Sequence, residues 1–425
     1  MVISIMEKAV LKGKTKIFFL TLLIYAYPLF ILKSIKYKYS FTIDGFITSN
    51  ELWLIPLLVL IKVLISKKNA IDFKCLIITL LLISYCIFSI IFIGSSSQSV
   101  YSLYIATMPL ALVIIRNKTD GTLFYHYLKA VIIFAGLYGL LVVGQFFTHN
   151  LIARVTGHAE LAASYVTRYP TMFGSSITTS YYLILSIPII IIGVLKFDSI
   201  WKKISIISLS ASSLAVILAQ SRICFIVLII YTAVFLFHYN QKLSIFKKSV
   251  VVLLLVLLAY YIINNPFLNR LSSHYFEGAS SSSRFNALHV GLVLFEHKPV
   301  MGSGIAVFYK RLWEDNHISI MGLDTLVDPH NLYIFLLDEI GIIGFVLLAS
   351  LFVYLVKNII NRLESIEKFS FIMMLVGILI CFFAGSQPIN EVSFAVVFWW
   401  YISFFYSKAS LNQRDINNEN IIFRL

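Results

Sequence analysis

Apolar residues run along this chain in long blocks, and polar residues gather in the short stretches between them. A helix crosses the hydrocarbon core with ~20 mostly apolar residues. On that scale the blocks predict crossings near 17–33, 51–66, 73–93, 99–115, 128–147, 174–195, 201–219, 222–238, 248–264, 330–356, 369–385 and 392–407. The pattern predicts an all-α polytopic membrane protein with about 12 transmembrane helices. Residues 1–264 read as an N-terminal transmembrane bundle of about nine spans, with a small outer polar loop at 148–173. Residues 265–329 read as one long outer loop, and 330–425 as three further spans with an inner tail. Such a long loop is usually functional or disordered; the internal pattern of this one favours function.

Composition supports the membrane reading. The chain is 59% hydrophobic and 13% charged, where a soluble chain is usually ~25% charged. Twenty-two of its 34 basic residues fall in the segments on the side of Met1 and eleven in the opposite ones, with Lys62 at the inner end of a span. The positive-inside rule then predicts both termini in the cytoplasm. That rule and attraction to anionic membrane lipids account for the net charge of +14 without nucleic acid as a partner. The first apolar block lacks a small-residue cleavage site and reads as a retained span. Cys75, Cys86, Cys224 and Cys381 lie within predicted spans, show no CxxC spacing and read as small packing residues.

The candidate chemistry is on the outer side. In the long loop, SSSSRFNALHVGLVLFEHKP (280–299) predicts an amphipathic helix over 284–298. Ser283 suits the N-cap, Phe285, Leu288, Leu292 and Phe295 form an apolar stripe, and Pro299 ends the helix. Arg284 then lies in the first turn, where a cation costs ~0.3–1 kcal/mol unless an anion shares the site. Gly302 and Gly304 permit a tight turn outside any dinucleotide-binding context.

His330 follows Asp328 and Pro329 at the outer mouth of a predicted span, and histidine is the side chain best suited to take a proton near neutrality. Arg222 opens another span, and Arg154 and Arg168 lie in the smaller loop, each a candidate for substrate binding. Asp338 and Glu339 follow His330 by ~12–14 Å of helix, about 80° and 180° around its axis. They read as structural supports holding a neighbouring helix or a buried arginine, with Gly341 and Gly344 allowing another helix to come close. His289, His297 and His317 show no metal-ligand spacing, so no metal is expected.

Taken in order, SR (221–222), RFNALHVGLVLFEHKPVMGSG (284–304) and HNLYIFLLDEIGIIG (330–344) resemble the O-antigen polymerase/ligase superfamily of bacterial membrane glycan transferases, the Wzy/WaaL type. RVTGH (154–158) followed by FG (173–174) is a weaker feature of the same kind. The resemblance covers roughly residues 150–350 and implies a GT-C-like membrane fold. It also implies a glycosyltransferase in the bacterial inner membrane, with its active site facing the periplasm and no cofactor. Its donor would be an undecaprenyl-pyrophosphate-linked oligosaccharide.

By the same resemblance His330 is the catalytic residue, Arg222, Arg284 and Ser283 hold the pyrophosphate, and Asn331 joins the substrate-binding residues. Guanidinium groups suit a leaving group whose negative charge grows. No carboxylate is placed as a covalent nucleophile, which favours one inverting displacement. A polymerase, whose acceptor is another lipid-linked repeat unit, is the preferred reading; the strong Ile, Lys, Phe and Asn usage suits an A+T-rich polysaccharide gene cluster. A ligase acting on lipid A–core is the alternative, and a lipid-linked glycan flippase the rival from another class. A chain-length regulator and a flippase are partners such a system can involve.

Overall fold

The computed structural model describes residues 41–43, 46–48, 69–94, 99, 103, 107, 110–117, 122–148, 176–219, 221–239, 279–305, 307, 331–383 and 392–422. The expected spans near 17–33, 51–66 and 248–264 lie outside these residues, as do Arg154, Arg168 and His330. The described part is helical. Its elements are α1 (Phe73–Phe88, extended by a wider turn Ser89–Ile93), the short α2 (Ala111–Ile114), α3 (Thr122–Phe147) and α4 (Ser176–Lys196). Then come α5 (Ser199–Leu218), α6 (Arg222–Tyr239), α7 (Ala279–His297), α8 (Leu332–Ile360), α9 (Ser365–Phe382) and α10 (Val392–Ile422). Six of the described helices are long and apolar enough to cross a membrane: α1, α3, α4, α5, α8 and α9. The protein is membrane-embedded.

Two pairs of three-residue strands depart from the all-helical expectation. β1 (Phe41–Ile43) pairs antiparallel with β2 (Phe46–Thr48), and β3 (Asn69–Ile71) with β4 (Ile115–Asn117). The second pair changes the expected span near 99–115: its last turn is α2, and the chain then straightens to bond alongside β3. Asp72 continues that ladder, its N–H donating to Ile114 O at 3.1 Å.

α4 is the central helix, buried along nearly its whole length. α3 and α5 pack closely because small residues face each other: a Cβ added to Gly139 would stand 2.6 Å from Ala211 C. In a membrane, where lipid is as apolar as the helices, such close backbone approach is a main source of association. α3 runs antiparallel to α4, with the Tyr138 and Tyr182 rings 5.0 Å apart and Ile132 beside Gly193. α9 also runs antiparallel to α4. Tyr181 OH donates to Cys381 O at one end, and Lys196 meets Glu364 and Glu367 at the other.

These contacts define two ends of the bundle. At the Lys196 end, Lys196 Nζ lies 2.6 Å from both Glu364 Oε2 and Glu367 Oε1, and Lys408 Nζ lies 3.5 Å from Glu364 Oε1. Glu367 is fully buried, so Lys196 is what makes its charge tolerable; removing one partner of such a pair costs ~3–5 kcal/mol. At the same end Asp72 caps α1, accepting from Lys74 N and Cys75 N, and also takes the hydroxyls of Tyr354 and Tyr406. One carboxylate thereby ties α1, α8 and α10 together.

Glu364 gives this end a pH dependence. Its hydrogen bond from Lys196 holds the carboxyl below the ordinary value of 4.5. A depressed folded pKa contributes stability that is complete above the unfolded value and is lost as pH falls through the folded one. Below pH 4.5, the melting temperature of the wild type in detergent is therefore expected to fall more steeply than that of Glu364→Gln. Parallel curves would remove Glu364 from the pH response.

Candidate functional site

α8 is 29 residues long, ~43 Å, too long for one perpendicular crossing. It breaks at Gly341, whose φ of 61° and ψ of −173° belong to no helix. The lower piece, 342–360, is ~28 Å and can cross the hydrocarbon core unaided. The break therefore stands at the rim of the bundle opposite Lys196. Asp338 and Glu339 are at that rim, where the sequence pattern alone sets them inside a continuous apolar span.

The loop after α7 repairs the break. In an unbroken helix the N–H groups of Ile342 and Ile343 would bond the carbonyls of Asp338 and Glu339. Here Ile342 N donates to Pro299 O at 2.9 Å and Ile343 N to Val300 O at 3.2 Å. The vacated carbonyls accept from the turn: Ser303 N reaches Asp338 O at 2.7 Å and Gly304 N reaches Glu339 O at 3.0 Å. Tyr85 OH, from α1, lies 2.9 Å from Ile340 O and 2.8 Å from Met301 O. Ser303 Oγ donates to Asp338 Oδ1 at 3.1 Å. Irregular backbone at membrane depth is tolerated only when its polar groups are satisfied within the protein, and this turn satisfies them.

The motif halves Pro299…Gly304 and Asp338…Gly344 are thus two sides of one joint. Gly302 and Gly304 have φ of 77° and 111°, and an added Cβ on Gly302 would stand 2.5 Å from Glu339 O. Asp338, expected as a structural support, takes the hydroxyl of the loop residue Ser303. Gly341 admits that loop, and Gly344 admits Tyr85 of α1. Tyr85→Phe is expected to destabilise the fold by about 0.5–1.5 kcal/mol, because Ile340 O and Met301 O lose their shared donor. A thermal unfolding curve in detergent measures this, and an unchanged midpoint would contradict the role of Tyr85.

The break also redirects the upper piece of α8. Tyr333 OH donates to Leu379 O at 2.9 Å, and its ring lies 4.6 Å from that of Phe383. The first turns of α8 are thereby held against the end of α9. Asn331 caps α8, its Oδ1 accepting from Tyr333 N and Ile334 N at 3.0 and 3.2 Å. Its chain neighbour His330 lies outside the described residues.

Arg222 is half-buried and opens α6 at the same end. Cys224, two residues on, has its Sγ 4.0 Å from Cys381 Sγ of α9, and Tyr181 of α4 bonds Cys381 O. Asn331 and Arg222, 109 positions apart in the chain, are therefore carried to one end of the bundle by α9. All four cysteines are buried and free, as expected of packing residues.

Arg284 and Ser283 stand differently from the sequence expectation. α7 begins at Ala279, not after Ser283, so Ser283 is inside the helix and is not its cap. Arg284 is the sixth helical residue and lies beyond the first turn. The apolar stripe is also rotated. Ala287, Val290, Gly291 and Leu294 face inward and Leu292 is 39% exposed. Small residues at 287 and 291 let α7 lie closer to its neighbours than a row of Leu and Phe would.

The sequence reading passed over several residues that build this end and its counterpart. Asp72 had a legible signal, a capping residue directly before an apolar run. Tyr85 and Lys196 had none, because their partners are distant in the chain.

Helical architecture, a broken crossing repaired by a loop, and polar residues at one end of the bundle define a polytopic membrane protein with a candidate site at that end. Residues 207–349 match the family model described as O-antigen ligase. This match, over about a third of the chain, is consistent with the O-antigen polymerase/ligase superfamily. The matched stretch runs from α5 to just past the Gly341 break and includes Arg222, α7 and the turn. At the level of the family it supports glycan transfer of the O-antigen ligase/polymerase type. The full chain matches no curated protein sequence.

Proposed function

We propose that this protein is a surface-polysaccharide polymerase of the O-antigen type. It transfers the glycan of an undecaprenyl-pyrophosphate-linked donor to a sugar hydroxyl of a second lipid-linked repeat unit. The observation that supports glycan transfer is the family match over residues 207–349, which covers the joint described above and both arginines of the proposed leaving-group site; the choice of a polymerase rests on the strong Ile, Lys, Phe and Asn usage.

In this reading the membrane is the bacterial inner membrane, both termini are cytoplasmic, and the Asn331 end faces the periplasm. The fold belongs with the GT-C-like glycosyltransferases. His330 takes the proton of the acceptor hydroxyl as that oxygen attacks the anomeric carbon. Arg222 and Arg284 stabilise the pyrophosphate as the glycosidic bond to it breaks, through bidentate charge-assisted hydrogen bonds. Ser283, Arg154, Arg168 and Asn331 contact the donor or acceptor. Attack from the face opposite the leaving group inverts the anomeric carbon, and no metal takes part.

A second reading has one observation behind it: the matching family is described as a ligase. A ligase would hand the finished glycan to lipid A–core. The lipopolysaccharide ladder of a deletion strain separates the two. Core carrying a single repeat unit, with the ladder gone, is the outcome for a polymerase. Bare core, with full-length polymer left on the lipid carrier, is the outcome for a ligase. Transfer between labelled lipid-linked donor and acceptor in detergent tests the enzyme reading itself, since a flippase has no membrane to work across there.

A further inference from the structure

Gln145 lies in the last turn of α3 and is fully buried. Among the described residues, neither its Oε1 nor its Nε2 has a hydrogen-bond partner. Two helix registers locate it. α3 is antiparallel to α4 with Tyr138 against Tyr182; seven residues up from Tyr138 is Gln145, and seven back from Tyr182 is the start of α4. α3 is parallel to α5 with Gly139 against Ala211 and Ser212. Six residues further on each helix brings Gln145 level with the end of α5, from which the chain turns through Ser221 into Arg222. Both registers set Gln145 at the Arg222 end of the bundle, beside the buried hydroxyl-bearing first turn of α4 with Thr178, Thr179 and Ser180.

A buried carboxamide without partners is expensive, since each unsatisfied polar group gives up its water without a hydrogen bond in return. Met or Leu would fill the same space without that cost. We propose that Gln145 binds a sugar of the glycan being transferred, an inference that rests on the glycan-transfer reading above. The chemistry of the side chain selects this ligand. A carboxamide offers two donors and an acceptor. A phosphate oxygen can satisfy the Nε2 donors but leaves Oε1 facing negative charge. A sugar hydroxyl both donates and accepts, so two neighbouring hydroxyls satisfy both ends of the amide. Gln145 thus recognises the sugar, while the arginines take the pyrophosphate.

The test compares two probes on purified full-length protein in detergent: bare undecaprenyl diphosphate, and the same carrier bearing the repeat unit. Wild type is expected to bind the glycan-bearing carrier more tightly. Gln145→Met and Gln145→Leu are expected to lose that preference, by about 10-fold to 100-fold, while binding the bare carrier as before. Their melting temperature without ligand is expected to hold or rise. A preference retained in both variants overturns the proposal and leaves Gln145 with a trapped water. Failure of both variants to fold, or a clear drop in their melting temperature, overturns it too, since Gln145 would then have a structural partner. If wild type binds neither probe, it is the glycan-transfer reading that fails.

Discussion

Gly341→Ala is expected to remove most of the folded protein. The backbone at Gly341 occupies a region of φ and ψ that only glycine enters readily, and forcing another residue there costs on the order of 1–3 kcal/mol. A methyl group at that position also overlaps Gly302 N and Val300 O. Both are backbone atoms of the repairing turn and cannot swing aside like the end of a flexible side chain. If the turn withdraws, the N–H groups of Ile342 and Ile343 and the carbonyls of Asp338, Glu339 and Ile340 lose their partners together. Gly144→Ala is the control. It adds the same methyl group to a helix where nothing stands within 4 Å, and it is expected to be neutral or slightly stabilising. The monodisperse fraction in size-exclusion chromatography after detergent extraction reports both. Equal fractions for the two variants would mean that the joint is dispensable.

His330→Ala is expected to lower glycan transfer by on the order of 10²–10⁴-fold, the range a positioned general base supplies, with folded yield unchanged. His330 directly precedes Asn331, whose own side chain caps α8. Activity and stability should therefore separate. Transfer in detergent and the lipopolysaccharide ladder of the complemented strain both read this variant. Full activity would take His330 out of the reaction. The contrast with Gly341→Ala is informative: one variant loses the reaction and keeps the fold, the other loses the fold that holds the reaction together.

Much of the site was legible locally. Asn331 as a helix start follows from a capping residue before an apolar run, and Pro299 with two glycines marks a turn. Arg222 at the head of α6 lies where the hydropathy pattern sets it. Other features were misread for a physical reason. The inward face of α7 is chosen by Ala287 and Gly291, which carry little hydrophobic weight but allow close packing. The start of α7 at Ala279 draws a serine run into the helix that local propensity assigns to a cap. Asp338 and Glu339 look like charges buried within a span because hydropathy cannot register a break whose hydrogen bonds are completed by residues about forty positions earlier.

The sequence by itself determined the membrane character, the apolar blocks that form the six long apolar helices α1, α3, α4, α5, α8 and α9, and the residues that resemble a glycan transferase. Those features rest on side-chain hydrophobicity, charge and short-range backbone preferences, all properties of neighbouring residues. Tertiary structure alone decided that the Pro299–Gly304 turn closes the Gly341 break. It also decided that Tyr85 donates to both sides of the joint, that Asn331 and Arg222 share one end of the bundle, and that Gln145 is buried there without a partner among the described residues. Each of these depends on which backbone and side-chain polar groups meet across the bundle. Such pairings join residues with no periodic relation in the chain, so they emerge only when the helices are packed.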